Sequence, residues 1–186
     1  MKTQDIINMQ RKIGATPDGF WGPQSIAKLA AYLRKLMPKV NPWPKPNQAA
    51  LTAFYGKPGD ESRLVNLNVT GLGVKYEGKA VKTIRCHERV AESLYRVIVD
   101  LSKTHPQILA KFDGCYNDRP MRTSSLPSLH ARGAATDWNQ AQNGLKMHWP
   151  TVAVMPLEVM EAFAREGWKS LGALIARDAM HFEATS

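Results

Sequence analysis

With 186 residues, of which 44% are hydrophobic and 22% charged, the chain can bury one well-packed core with a small appendage, and wholesale disorder is excluded. Lys and Arg number 25 against 16 Asp and Glu, and the resulting +9 favours anionic partners without choosing among nucleic acid, a membrane surface and an acidic cell wall. No apolar run approaches the roughly 20 residues of a membrane span, and "MKTQDIINMQRK" lacks the apolar centre of a secretory signal, so a cytoplasmic start is expected.

In chain order, Ile6, Met9, Gln10 and Ile13 fall at helical spacing within residues 4–13. "GATPDGFWGPQS" follows, with Pro17-Asp18-Gly19 as a turn signal. "PQSIAKLAAYLRKLM" then lines up Ile26, Leu29, Ala30, Leu33 and Met37 on one face. Arg34 and Lys35 suit its C-terminal dipole, and Pro38 stops it. Residues 1–37 therefore read as a helical hairpin, too small to stand alone and expected to lean on its neighbours. Residues 38–46, "PKVNPWPKP", hold four prolines in nine positions. That composition predicts a stiff, extended linker before a second domain at 47–186.

"RLVNLNVTG" alternates Val65, Leu67 and Val69 with polar residues, the pattern of a half-buried strand. "VKYEGKAVKTI" predicts a hairpin turning at Glu77-Gly78. "HERVAESLYRVIVDLSK" places Val90, Leu94, Val97, Ile98 and Leu101 on one face of a long helix. "PLEVMEAFARE" predicts another, with Gly167 at its C-terminal cap. "AATDWN" and "AMHFEA" read as strands. Strands and helices do not alternate regularly, so the expected class is α+β: a small, mainly antiparallel sheet with flanking helices. Cys86 and Cys115 lack C-x-x-C spacing and are expected to be free thiols.

Of five histidines, His105 and His148 read as structural or surface residues. A Cys86/His87/Cys115 cluster would strain adjacent ligands and lacks a fourth, so His87 also reads as structural. His130 and His181 each have polar company. Ser128 and His130 share a face of an extended segment, Gly133 lets the chain turn, and Asp137 arrives on the next strand. Near the C-terminus, Met180 and Phe182 would face the core while His181 and Glu183 face the other way. His130, Asp137 and His181 can thus converge on one sheet face. Two imidazoles and a carboxylate suit one tetrahedral Zn2+ with its fourth position open to water, although manganese or cobalt would accept the same donors. Asp178 is the first candidate for a general base and needs a bend to reach the His181 face; Glu183 is its competitor or a supporting partner. Arg119 or Arg122 would bind a substrate carboxylate or steady an oxyanion.

The pattern Ser128-x-His130-x-x-Gly133-x-Ala135-x-Asp137, followed by Asp178-x-x-His181-Phe182, resembles the zinc D-alanyl-D-alanine carboxypeptidases and L-alanyl-D-glutamate endopeptidases, the VanY-type enzymes and many bacteriophage endolysins. The resemblance spans residues 80–184. It implies a zinc peptidase with His130, Asp137 and His181 as ligands, Asp178 as general base and Arg119 holding substrate. It further implies a supporting role for Ser128 and a place for Trp168 in the cleft wall. Where the family often shows a glycine-rich stretch with a second tryptophan, this chain has "SLGALIARD".

The hairpin turn, with Asp18, Gly19, Trp21 and Gly22, is similar to a shortened three-helix peptidoglycan-binding module. The implied protein is a phage lysis enzyme, expected to be a monomer and to stay in the host cytoplasm until lysis. Its partner is peptidoglycan, with no nucleic acid and no membrane. L-Ala-D-Glu is the first-choice bond and D-Ala-D-Ala or a cross-link the second. A non-catalytic wall-binding protein is the alternative from another class. Nucleic-acid binding ranks last, because the basic residues are dispersed and no recognised motif is present.

Overall fold

The computed structural model describes residues 2–122 and 124–186. The predicted hairpin forms from α1 (Thr3–Ile13) and α2 (Pro23–Leu36). Gln10 sits on the apolar face of α1 because its amide organises the turn. Its Nε2 donates to Asp18 Oδ1, the Phe20 carbonyl and Ser25 Oγ, and its Oε1 accepts from the Gly19 N–H. Pro23 begins α2, where its missing N–H costs nothing.

The hairpin leans on the rest as expected. Lys12 Nζ lies 2.7 Å from Glu161, Tyr32 donates to the same carboxylate at 2.9 Å, and Trp21 meets Trp149 edge-on. Ile13, Leu29 and Leu33 belong to the same continuous core as the following chain. Residues 38–46 are packed rather than free. Trp43 is buried against Trp168 and its indole donates to the Glu166 carbonyl at 2.9 Å. Asn41 donates to the Gly167 carbonyl at 3.0 Å. A helix leaves its last carbonyls without intrahelical partners, and here this proline-rich segment supplies donors at such an end.

α3 (Gln48–Tyr55), capped by the Asn47 side chain, was not anticipated from the sequence. β1 (Leu64–Asn68) comes next, followed by the hairpin β2 (Lys75–Tyr76) and β3 (Lys79–Ala80). That hairpin turns at Glu77-Gly78, both at positive φ, as predicted. β1 pairs antiparallel with β4 (Thr83–His87) in a two-stranded ribbon. Of its alternating residues, Val69 is buried just beyond the strand end, whereas Val65 is 38% exposed. A two-stranded ribbon has no further strand to shield it there.

α4 (Glu88–Thr104) and the short α5 (Pro106–Leu109) lead to β5 (Phe112–Gly114). A 3-10 turn (Leu129–Arg132) precedes β6 (Ala135–Trp138) and α6 (Gln140–Asn143). The chain ends with α7 (Leu157–Arg165), β7 (Lys169–Ser170), α8 (Leu171–Ile175) and β8 (His181–Glu183). The class is α+β. Its principal sheet runs β5-β6-β8-β7 with every neighbouring pair antiparallel. Phe182 turns to the core side of the sheet and stacks on Phe163 of α7, with ring centroids 3.9 Å apart. Asp137 and His181 are register partners on the two central strands. No helix among the described residues is long and apolar enough to cross a membrane.

Candidate metal centre

The segment delivering His130 is fastened from three sides. Ser128 Oγ accepts from the His130 N–H, capping the 3-10 turn. Gly133 ends the turn at φ +63, and a Cβ there would lie 2.8 Å from the His87 backbone nitrogen. Only glycine therefore allows the His87 N–H to reach the Gly133 carbonyl at 2.9 Å. Arg132 is buried along α3, donating to Gly56 O, Gln48 Oε1 and Thr52 Oγ1.

The imidazole of His130 donates from Nδ1 to the Cys115 carbonyl at 2.6 Å, so Nε2 is the nitrogen that faces the site. His181 presents Nδ1 to Asp137 Oδ1 at 2.9 Å, while its Nε2 lies 3.5 Å from Glu183 Oε2. Thr185 Oγ1 in turn donates to Glu183 Oε1 at 2.8 Å. The arrangement gives each imidazole a partner behind the ring, the usual support of a metal-binding histidine.

His130, Asp137 and His181 form the one group of three or more His, Cys, Asp or Glu side chains found among the described residues that could hold a metal ion. His130 Nε2 lies 3.2 Å from His181 Nδ1 and 3.3 Å from Asp137 Oδ2, while the other carboxylate oxygen, Asp137 Oδ1, lies 2.9 Å from His181 Nδ1. Donors about 2.0–2.1 Å from a tetrahedral ion stand about 3.3 Å from one another. The donor set and its spacing could therefore hold a metal ion.

Electrostatics follow the same geometry. Burial disfavours the Asp137 carboxylate, but hydrogen bonds from His130 and His181 outweigh it and hold the group well below the usual carboxylate range. Burial likewise opposes charge on His181, yet Asp137 and Glu183 prevail and raise its pKa to about 10. Asp178 moves upward, chiefly through burial, with Asp137 adding to the rise and His181 and Arg122 opposing it.

The bend expected before His181 is present. Asp178 has φ +54, and its carbonyl accepts from the His181 N–H at 3.0 Å. Its Oδ1 is buried with no hydrogen-bond partner. Asp178 lines a cavity of about 240 Å³ together with His130, Asp137, His181, Glu183 and Ser128. Arg119 and Arg122 line it too, and neither has a carboxylate partner among the described residues. Arg119 Nη1 donates to the Pro120 carbonyl, and Arg122 Nη2 is 3.4 Å from Gln140 Oε1.

Other expected site residues are not brought here. Trp168 is buried against Trp43 and Phe163 and donates to Ser93 Oγ at 2.8 Å, so it does not line the cleft. It enters β7 from the α7 side, and the wall comes instead from Leu171 and Ile175 of α8, within "SLGALIARD". Asp18, Gly19, Trp21 and Gly22 build the distant hairpin turn. Asp18 accepts from Gln10 and the Phe20 N–H, Gly19 has φ +76, Trp21 packs on Trp149, and Gly22 caps α2.

His87 is structural: its Nδ1 accepts from the Arg89 N–H and its Nε2 donates to the Tyr55 carbonyl. Cys86 and Cys115 are free and buried, and burial pushes the Cys86 thiol up to about 12. His148 Nε2 lies 3.0 Å from Arg177.

The supporting groups that sequence reasoning missed are the Cys115 carbonyl, Thr185 and the α3 side chains Gln48 and Thr52. A backbone carbonyl leaves no mark in a sequence, but Asn47, Leu51, Tyr55 and Gly56 do spell a short capped helix. No family model, curated protein or solved structure matches this chain.

Proposed function

We propose that the chain is a zinc-dependent, endolysin-like peptidase that hydrolyses an amide bond of the peptidoglycan stem peptide, L-Ala-D-Glu first and D-Ala-D-Ala or a cross-link second. The observation that carries this reading is one cavity holding two imidazole nitrogens and a carboxylate within 3.3 Å of one another, beside a buried carboxylate oxygen with no partner. His130 Nε2, the Asp137 carboxylate and His181 Nδ1 would hold the ion. Zinc, when bound, supplies a Lewis acid for the scissile carbonyl and brings the pKa of a bound water to about 7.

The remaining work belongs to the chain. Asp178 accepts the proton of the attacking water and returns it to the leaving amine. Burial pushes its carboxyl upward, which makes it a better proton acceptor than an exposed carboxylate. Glu183 fixes the His181 ring. Arg119 or Arg122, without acidic partners, neutralises substrate charge. In the same reading the net charge of +9 concentrates the protein on an anionic wall once the host membrane is opened, and residues 1–37 add wall contact through surfaces such as Phe20, which is 72% exposed.

The test is mass spectrometry of peptidoglycan digested by the purified protein, with zinc and with chelator. New peptide ends that vanish with chelator and in Asp178→Asn support the reading, and their masses name the bond. Intact fragments from zinc-loaded protein that still binds wall overturn it in favour of a binding protein.

A further inference from the structure

A recess of about 510 Å³ shares no residue with the cavity at the candidate metal centre. One wall is the proline-rich segment, through Pro38, Val40, Pro42 and Trp43. The other is α4, whose Arg89, Glu92, Ser93 and Arg96 fall at i, i+3, i+4 and i+7 and so share one helix face. Seven residues of helix rise about 10 Å, so the recess is a groove of roughly that length.

The charges along it cancel. Arg96 donates to both oxygens of Glu166, at 2.9 and 2.7 Å, and pairs with Glu92 at 2.7 Å. Arg89 lies over the Phe54 ring, 4.4 Å from its centroid, and has no carboxylate partner among the described residues. Two guanidiniums and two carboxylates thus line the groove of a chain whose net charge is +9. An anionic ligand would meet Glu92 and Glu166, and a cationic one Arg89 and Arg96. A purely apolar ligand would strip four ionic groups of water and give nothing back. A guanidinium only donates hydrogen bonds and a carboxylate only accepts them, whereas a hydroxyl does both. Neighbouring hydroxyls therefore match the α4 row, and apolar C–H faces match the prolines, Val40 and Phe54. A saccharide carries both.

We propose that this groove binds an uncharged, hydroxyl-rich saccharide between the proline-rich segment and α4. Its identity as the glycan of peptidoglycan rests on the proposed peptidase function, and the segment itself connects the two. It continues to Pro46, which lines the cavity at the candidate metal centre. Trp43 and Pro46 are three positions apart, so their Cα atoms stand at most about 11 Å from each other. A glycan held on this segment keeps its attached peptide close to that cavity.

The probe is chitotetraose, an uncharged linear oligomer of N-acetylglucosamine, titrated into the full isotope-labelled chain. Saturation-transfer NMR reads the sugar, and amide shifts read the protein. The expected result is transfer to the sugar ring protons, with the Val40 and Glu92 amides shifting along one binding curve. Arg89→Met and Val40→Asp are each expected to weaken binding about tenfold, the scale of one hydrogen bond to a charged group. Val40 is 84% exposed and Arg89 is exposed, so neither change removes core packing, and circular dichroism checks the fold. Tetraglutamate, the anionic control, is expected to leave the same amides unmoved. No saturation transfer at millimolar sugar, an affinity untouched by both variants, or equal shifts with tetraglutamate overturns the inference. Chitotetraose binding in the groove by a chain that cuts no stem peptide upholds the groove and overturns the peptidase reading. Cleavage of stem peptide without sugar binding does the reverse.

Discussion

Asp178 combines a left-handed backbone, φ +54, with a buried carboxylate oxygen that accepts nothing. Both features cost stability, and such strain persists where surrounding structure enforces it. Asp178→Asn keeps the shape and removes the proposed base. It is expected to lower kcat by about 10²–10⁴-fold, with metal content by atomic absorption unchanged. Glu183→Gln weakens the hold on His181 and is expected to cost about 10–100-fold in zinc affinity, read by competition with a chromophoric chelator.

The pKa of His181 sets a sign for metal uptake. In chelator-stripped protein the imidazole, raised to about 10, is protonated at pH 7, so the ion must displace a proton. Zinc affinity should therefore rise with pH up to that value. Calorimetry in buffers of differing ionisation enthalpy should show the release of a proton. The same shift stabilises the stripped fold fully below the ordinary histidine pKa of about 6.5 and loses that contribution as pH rises towards 10. Asp137 acts in the opposite direction: held low, it contributes above the usual carboxylate pKa and loses that contribution in acid.

The candidate ligands were legible because donor type and spacing are written in side chains. Trp168 was misplaced because a tryptophan beside a strand can face either layer, and nothing local reveals which. The Cys115 carbonyl that holds His130 was invisible for a different reason, since every residue has one.

Among the structural elements, the long ones announced themselves. α4 and α7 repeat apolar residues over several turns, and β6 and β8 place Thr136 and Phe182 opposite each other as strands should. α5, α6 and α8 span one turn or little more, too short for periodicity to register. The turn carrying His130 depends on Gly133, where both the positive φ and the approach of the His87 backbone bar a side chain. Gly133→Ala is expected to destabilise by at least about 1–2 kcal/mol from conformation alone, measured by urea unfolding. Arg132 adds an unusual support. It is a buried guanidinium whose Nη1 finds no partner, laid against the carbonyl end of α3, where the helix dipole is negative.

Taken together, the parts make a body less divided than the prolines suggest. Trp43 lies in the common core, and Trp43→Ala is expected to cost about 3–5 kcal/mol, read as a lower denaturation midpoint in one transition. A free linker would tolerate the change. Composition marked a segment without helix or strand, but it carried no information on what that segment lies against, because the contacts of Asn41 and Trp43 are with residues over a hundred positions away.

The central ladder aligns Asp137 with His181 and Thr136 with Phe182. Sliding β8 by one position would turn His181 and Glu183 into the core and Phe182 out of it. A misthreaded molecule thus forfeits its candidate metal-binding face and its packing in the same error. On the proposed reading, zinc retention becomes a tally of chains that refolded correctly, readable on a mixed population without an activity assay.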